Sequence, residues 1–151
     1  MKEPICIRRA NVEDAPVLND LTGQLGYKIS LSTLAQNLRA YLQDPDRSLF
    51  VAEIDGEVVG YIALDVAFTF HREGKQVRVV SLVVDRLHRG RGLGKLLLQS
   101  AEVWAKEQNG WVIELTSSSA REKDGTHDFY LKQGYLKNGS QAYFHKLMGA
   151  L

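Results

Sequence analysis

Residues 79–94 read Val79-Val80-Ser81-Leu82-Val83-Val84-Asp85-Arg86-Leu87-His88-Arg89-Gly90-Arg91-Gly92-Leu93-Gly94. Residues 77–84 read as a strand, and its run over 79–84 is apolar almost throughout, which predicts a central strand covered on both faces. Beyond the glycines, Leu93, Leu96, Leu97, Ser100, Ala101 and Trp104 recur at the spacing of a buried helical face, and Lys95, Gln99, Glu102 and Lys106 fall outside that stripe. Strand, glycine-rich turn and helix in that order make an anion site. The helix start offers unpaired N–H groups and the positive end of the macrodipole, and glycine lets backbone approach a phosphate closely. Arg89, Arg91 and Lys95 add charge. The plainer reading is a tight turn with solvated arginines. Two familiar phosphate loops are excluded: the Walker A pattern needs Gly at 89 and Ser or Thr at 96, where Arg89 and Leu96 stand, and G-x-G-x-x-G from Gly90 needs Gly at 95, where Lys95 stands. The pattern that fits is R-x-x-G-x-G over 89–94.

Working outward, residues 50–54, then Asp55-Gly56, then residues 57–64 form a β-hairpin, because Asp-Gly supplies the positive φ angles of a two-residue type I′ turn. Ile5-Cys6-Ile7 is a short first strand. Asn11 caps a helix through Val12, Val17, Leu18 and Leu21 that ends near Gly23. Ser30 or Ser32 caps a second, with Leu34, Leu38, Tyr41 and Leu42 on one face. After the long helix, Asn109-Gly110 leads into a strand over 111–115, a polar loop over 116–125, a short helix over 126–133 stopped by Gly134, and strand character at Tyr135 and over 143–147. This order predicts a mixed α/β sheet with helices on both faces, in a single domain over residues 1–151.

Composition narrows the function classes. With 19 Lys+Arg against 18 Asp+Glu the net charge is +1, so nucleic-acid binding would need a local patch. The single Cys6 permits no internal disulfide and suits a reducing compartment. The first ten residues hold no apolar signal core, and no apolar run approaches the roughly 20 residues of a membrane helix, which together predict a soluble cytoplasmic protein. His71, His88, His127 and His145 lie far apart and show no zinc spacing, so no metal is expected.

The strand, the Arg89–Gly94 pattern and the helix resemble the signature of the GNAT superfamily of N-acetyltransferases, (Q/R)-x-x-G-x-(G/A) between a strand and an amphipathic helix. His127-Asp128-Phe129-Tyr130-Leu131-Lys132-Gln133-Gly134-Tyr135 is similar to the family's F-Y-x-x-x-G-(F/Y) block, about 40 residues further on. The resemblance implies a GNAT fold whose sheet splays between two parallel strands, here 77–84 and 111–115. It implies acetyl-CoA as donor, paired with backbone of Leu82, Val83 and Val84 and held at its pyrophosphate by Arg89, Gly90, Arg91, Gly92, Leu93, Gly94 and Lys95. Arg121 and Lys123 are further candidate contacts for coenzyme A phosphates, against the reading of a charged loop. Tyr130 is implied as the catalytic residue, a proton donor to the leaving thiolate; otherwise it is a core aromatic beside Phe129. His127, on roughly the same helical face, is a packed histidine or a ligand contact. The acceptor would be an amine, its pocket walled by residues 24–29, Tyr27 among them, and 68–74. Dimers are common in the family, and the oligomeric state stays open.

Two positions depart from the family pattern. Asn, common seven residues before the Tyr, is replaced by Lys123, and the Glu that many members carry as a base through water is replaced by Val80. A lysine-like amine, with pKa about 10.4, is neutral at pH 7 only at a cost of roughly 4.6 kcal/mol, whereas an α-amino group near 7.7–8.0 loses about 1 kcal/mol. The acceptor is therefore a low-pKa amine, or a base stands elsewhere, with Glu114, Asp65 and His71 as candidates. Three readings compete: an N-acetyltransferase, a non-catalytic acyl-CoA sensor of the same fold, and a nucleic-acid binder using Arg86, His88, Arg89, Arg91 and Lys95. The buried leucine face and the charge balance count against the last.

Overall fold

The computed structural model describes residues 4–117, 125–138 and 144–149. They fall into two compact units, residues 1–116 and 117–151. In the first, β1 (Ile5–Arg9), β2 (Arg47–Ile54), β3 (Glu57–Phe68), β4 (Lys75–Val84) and β5 (Gly110–Glu114) form one sheet in the order β1-β2-β3-β4-β5. The first three pairings are antiparallel, and β4 and β5 run parallel. α1 (Ala15–Leu25), entered through a 3-10 turn at Val12–Asp14, and α2 (Leu31–Gln43) connect β1 to β2, and α3 (Leu93–Glu107) connects β4 to β5. The second unit contains α4 (Thr126–Lys132). Among the described residues no helix is long and apolar enough to cross a membrane.

The β2–β3 turn takes the expected form, with Asp55 at φ 51° and Gly56 at φ 77°. Strand alternation then assigns the faces. Tyr61, Ala63 and Val83 pack with Leu18, Leu21 and Leu38 of α1 and α2. On the opposite face Gly60 lies against Leu97 of α3, and Leu93, Leu97, Leu98, Ala101 and Trp104 of that helix are buried. At about 25 cal/mol per Å² of apolar surface removed from water, these two layers are the main stabilising term.

Three readings of the sequence shift. α1 ends at Gly26, φ 107°, and not near Gly23, because the left-handed stop sits one turn later. β4 is central in the sheet, but Val80 is 53% exposed, so the strand is not covered throughout. Residues 135–138 and 144–149 carry no strand. Leu136, Phe144 and Leu147 are exposed; their side chains suit a sheet surface, but that preference takes effect only where a ladder partner exists. Tyr143 lies outside the described residues.

Candidate active site

The parallel pairing of β4 with β5 runs only from Lys75↔Gly110 to Arg78↔Glu114, while β4 stays paired with β3 as far as Val84↔Gly60. From residue 79 onward the β5 side of β4 has no strand partner among the described residues. A register shift between Ala63 and Leu64 leaves Val80 unopposed at the point where the strands part, and such a bulge bends its strand. Asp85 donates its N–H to Val59 O across the β3 edge at 2.7 Å. Alternation back from Asp85 points Val83 toward β3, and Leu82 and Val84 toward the open edge. That edge is a row of backbone donors and acceptors able to hydrogen-bond an extended chain.

The edge runs into the glycine turn. Gly90 and Gly92 take φ 82° and 79°, and nothing lies within 4 Å of a Cβ at either. Their role is conformational: Gly92 is the N-cap of α3 in the left-handed region. The first α3 bond is Leu96 N–H to Gly92 O, 3.1 Å. The N–H groups of Leu93, Gly94 and Lys95 precede it, and no side chain caps the helix, so these donors face outward with the helix dipole behind them. Arg89 folds back, its Nε donating to Val84 O at 3.3 Å. Arg91 and Lys95 are exposed.

A polar clamp fixes the start of this turn. Gln24, at the end of α1, donates from Nε2 to Asp85 Oδ1 (2.8 Å) and accepts the Arg86 N–H (2.9 Å). His88 Nδ1 meets Asp85 Oδ2 at 2.7 Å. The Gln24 hydrogen bond, and then that of His88, hold the Asp85 carboxyl below the usual range.

On the other face a cavity of about 160 Å³ lies between α1, α2, β3 and β4, lined in part by Thr22, Tyr41, Tyr61, Val80 and Ser81. The bulge turns both Val80 and Ser81 toward it. A wider groove of about 470 Å³ runs between β1, β2 and α3, over Phe50 and Trp104, away from the open edge. In the second unit Tyr130 sits on α4, its ring edge-on to Phe129 at 5.1 Å and to Tyr135 at 5.9 Å. Gly134, φ 90°, ends that helix as expected.

The model of the acetyltransferase (GNAT) family matches residues 17–135. The chain belongs to the GNAT family of acetyltransferases. The aminoalkylphosphonate N-acetyltransferase of Salmonella typhimurium is 33% identical to it over 141 residues, covering 89% of this chain and 88% of that protein. An N-alpha-acetyltransferase of Sulfurisphaera tokodaii is 30% identical, covering 77% and 81%. Among solved structures, aminoglycoside N-acetyltransferase AAC(6')-Iy in complex with CoA superposes with TM-score 0.86 at 16% identity, covering 97% of both chains. That last likeness is one of fold. N-acetyl transfer is the activity of this chain.

The acetyltransferase keeps Leu82, Val83, Val84 and residues 89–95 as one continuous strip of β4, turn and α3. Lys123 and Arg121 lie outside the described residues. Of the three base candidates, Glu114 is held by Arg72, whose terminal nitrogen reaches both carboxylate oxygens at 3.0 Å. His71 is exposed on the β3–β4 connection. Asp65 stands beside Tyr41 on β3. None of the three lines the cavity. Tyr27, foreseen as a pocket wall, is 64% exposed, and of the 24–29 segment Ile29 reaches the cavity. Sequence reasoning missed the Gln24–Asp85–His88 clamp and the Thr22–Tyr61 contact. The signal for the clamp was an acidic residue at the strand end with His three positions later; the contact between residues 22 and 61 left no local signal.

Proposed function

We propose that this chain, acting as one domain, transfers the acetyl group of acetyl-CoA to a primary amine of a small molecule or protein by direct attack on the thioester. The observation that carries this reading is the open edge of β4 at Leu82 and Val84, running straight into the uncapped start of α3. An extended pantetheine arm pairs with that edge as a further strand would, and the pyrophosphate meets the N–H groups of residues 93–95 beside Arg89 and Arg91. The amine nitrogen attacks the carbonyl carbon, the C–S bond breaks, the nitrogen gives up one proton and sulfur gains one. Tyr130 supplies the phenol that hydrogen-bonds the departing sulfur. A phenol near pKa 10 is a weaker acid than a thiol near 8.5, so transfer from it is uphill by about 2 kcal/mol and comes late or through water.

A panel of primary amines incubated with acetyl-CoA, followed by thiol release and by mass of the N-acetyl product, tests this. Equal amounts of thiol and amide support it. Thiol release without amide for every amine, or tight acetyl-CoA binding with neither product, contradicts it.

A further inference from the structure

The groove over Phe50 and Trp104 lies apart from the open edge of β4 and the glycine turn, and its two walls end together. β2 and β4 are both antiparallel to β3, so they run the same way, and β1 runs against them. α3 joins the parallel strands β4 and β5 and must also run back against them. β1 and α3 therefore point in one direction, and the last residue of each, Arg9 and Glu107, comes at the same end of the groove. Levels along the two walls can be matched. Ala52 pairs with Ile7 on one side and with Gly60 on the other, and Gly60 lies against Leu97. From that level Arg9 is two strand residues further, about 7 Å, and Glu107 ten helical residues further, about 15 Å. Helical side chains lean toward the helix N-terminus, which brings the Glu107 carboxylate back toward Arg9.

Both charges are available to a ligand. The Arg9 guanidinium lies over the Phe50 ring, 5.5 Å from its centroid. Asp14 and Glu53, the nearby carboxylates, are taken by Arg8. Among the described residues neither Arg9 nor Glu107 enters an ion pair, with each other or with any other group. Beyond them the lining is apolar, with Phe50 and Trp104 leading toward Ile7 and Leu96. Val103, on the α3 wall, leaves 58% of its surface exposed to the groove side and solvent. The volume of about 470 Å³ falls within the range of small-ligand sites. A dication meets Arg9 there, and a dianion meets Glu107. A ligand with one charge of each sign a few ångströms apart, and an apolar body beyond them, answers both side chains and the apolar lining at once.

We propose that this groove is a second ligand site, which takes a free α-amino acid with a large apolar side chain. Arg9 holds the carboxylate, Glu107 holds the ammonium, and the side chain lies along Phe50 and Trp104 toward Ile7. An ammonium kept charged by a carboxylate has no lone pair with which to attack a thioester, so the groove binds this amino acid and does not present it for acetylation. The site shares no residue with the β4 edge or residues 89–95, so the amino acid and coenzyme A bind together, and the proposal stands apart from the acetyl-transfer reading.

L-Phenylalanine, phenethylamine, hydrocinnamate and glycine are titrated separately into the intact chain, with and without coenzyme A, and followed by calorimetry and amide resonance shifts. The last three lack in turn the carboxylate, the ammonium and the apolar body. Phenylalanine should bind at least about fivefold more tightly than each of them, equally well with coenzyme A present, and move the amides of Arg9, Phe50, Val103 and Glu107 most. Arg9→Gln should weaken phenylalanine about fivefold and tighten phenethylamine; Glu107→Gln should weaken phenylalanine similarly and tighten hydrocinnamate. Both side chains are exposed, so neither change threatens the fold. A singly charged analogue that binds as tightly as phenylalanine, unchanged affinity in both variants, or the absence of any saturable shift would each overturn the proposal. So would shifts gathered at Leu82, Val84 and residues 92–95, or groove amides that move with protein concentration in the ligand-free sample, which would place a second copy of the chain there.

Discussion

Gly92 carries a conformation that other residues adopt only under strain. At φ 79° it caps α3 and orients the N–H groups of residues 93–95, and a side chain there costs about 1–2 kcal/mol in the left-handed region. Gly92→Ala should weaken acetyl-CoA more than tenfold by calorimetry while the protein still melts cooperatively; unchanged affinity would remove the turn from the donor site. For Tyr130 the prediction is kinetic. Tyr130→Phe keeps the ring packed on Phe129 and Tyr135 and removes one O–H, so kcat should fall at least about 30-fold with acetyl-CoA affinity little changed. A donor with a more acidic thiol should partly rescue it. Near-normal turnover with chemistry rate-limiting would make Tyr130 a packing residue only. Among the described residues lining the cavity none is a carboxylate or imidazole, and the rate is predicted to rise toward the acceptor's own pKa and to move with it across an amine series. A fixed inflection near pH 6–7, lost in Glu114→Gln, would reveal a protein base instead.

Between elements, two clamps hold the connections of α1. At its entry, Arg8 reaches both oxygens of Asp14 (2.8 and 2.9 Å) and Glu53 (3.0 Å), and Asn11 N–H donates to Asp14 (2.8 Å). Burial alone would raise the Asp14 carboxyl, but the Arg8 and Asn11 hydrogen bonds together outweigh it and hold it below its ordinary value. A depressed folded pKa means stability that is present above the unfolded value near 3.9 and lost as pH falls through the folded one. Asp14→Asn should therefore cost about 1–3 kcal/mol at pH 7 in denaturant melts, with the gap to the wild type closing below about pH 4. A gap that persists at pH 2–3 would show that packing, not charge, is what Asp14 supplies. At the exit of α1, Gln24 ties the helix to Asp85 at the head of the glycine turn. Gln24→Ala should raise the acetyl-CoA KM several-fold, and Gln24→Glu, which sets a carboxylate against Asp85, should raise it further. An unchanged KM in both would detach the clamp from the donor site.

Over the whole molecule, the parts legible in the sequence are those whose signal is local. Asp55-Gly56 specified its turn because both residues must take positive φ. Ser30 specified α2 by capping it, with Oγ accepting Thr33 N–H at 3.1 Å. The α3 stripe was readable because its spacing repeats over three turns, and residues 89–94 because strand, glycines and helix are contiguous. Leu98, buried on the same helix, fell outside the stripe because α3 packs against the sheet on a face broader than one row of side chains. The contact of α1 with the sheet was not legible: Thr22 Oγ1 and the Tyr61 hydroxyl meet at 2.7 Å, a pairing that only the folded sheet brings about. The exposure of Val80 was hidden for the same reason, since the bulge depends on how β3 and β4 pair. The measurement that tests the central claim most directly is backbone amide NMR of the intact chain titrated with acetyl-CoA. The largest shifts, and new protection from hydrogen exchange, are predicted at Leu82 and Val84 on the open edge of β4 and over residues 92–95 at the start of α3. Undisturbed amides there, with the shifts gathered along the groove over Phe50 and Trp104, would contradict it.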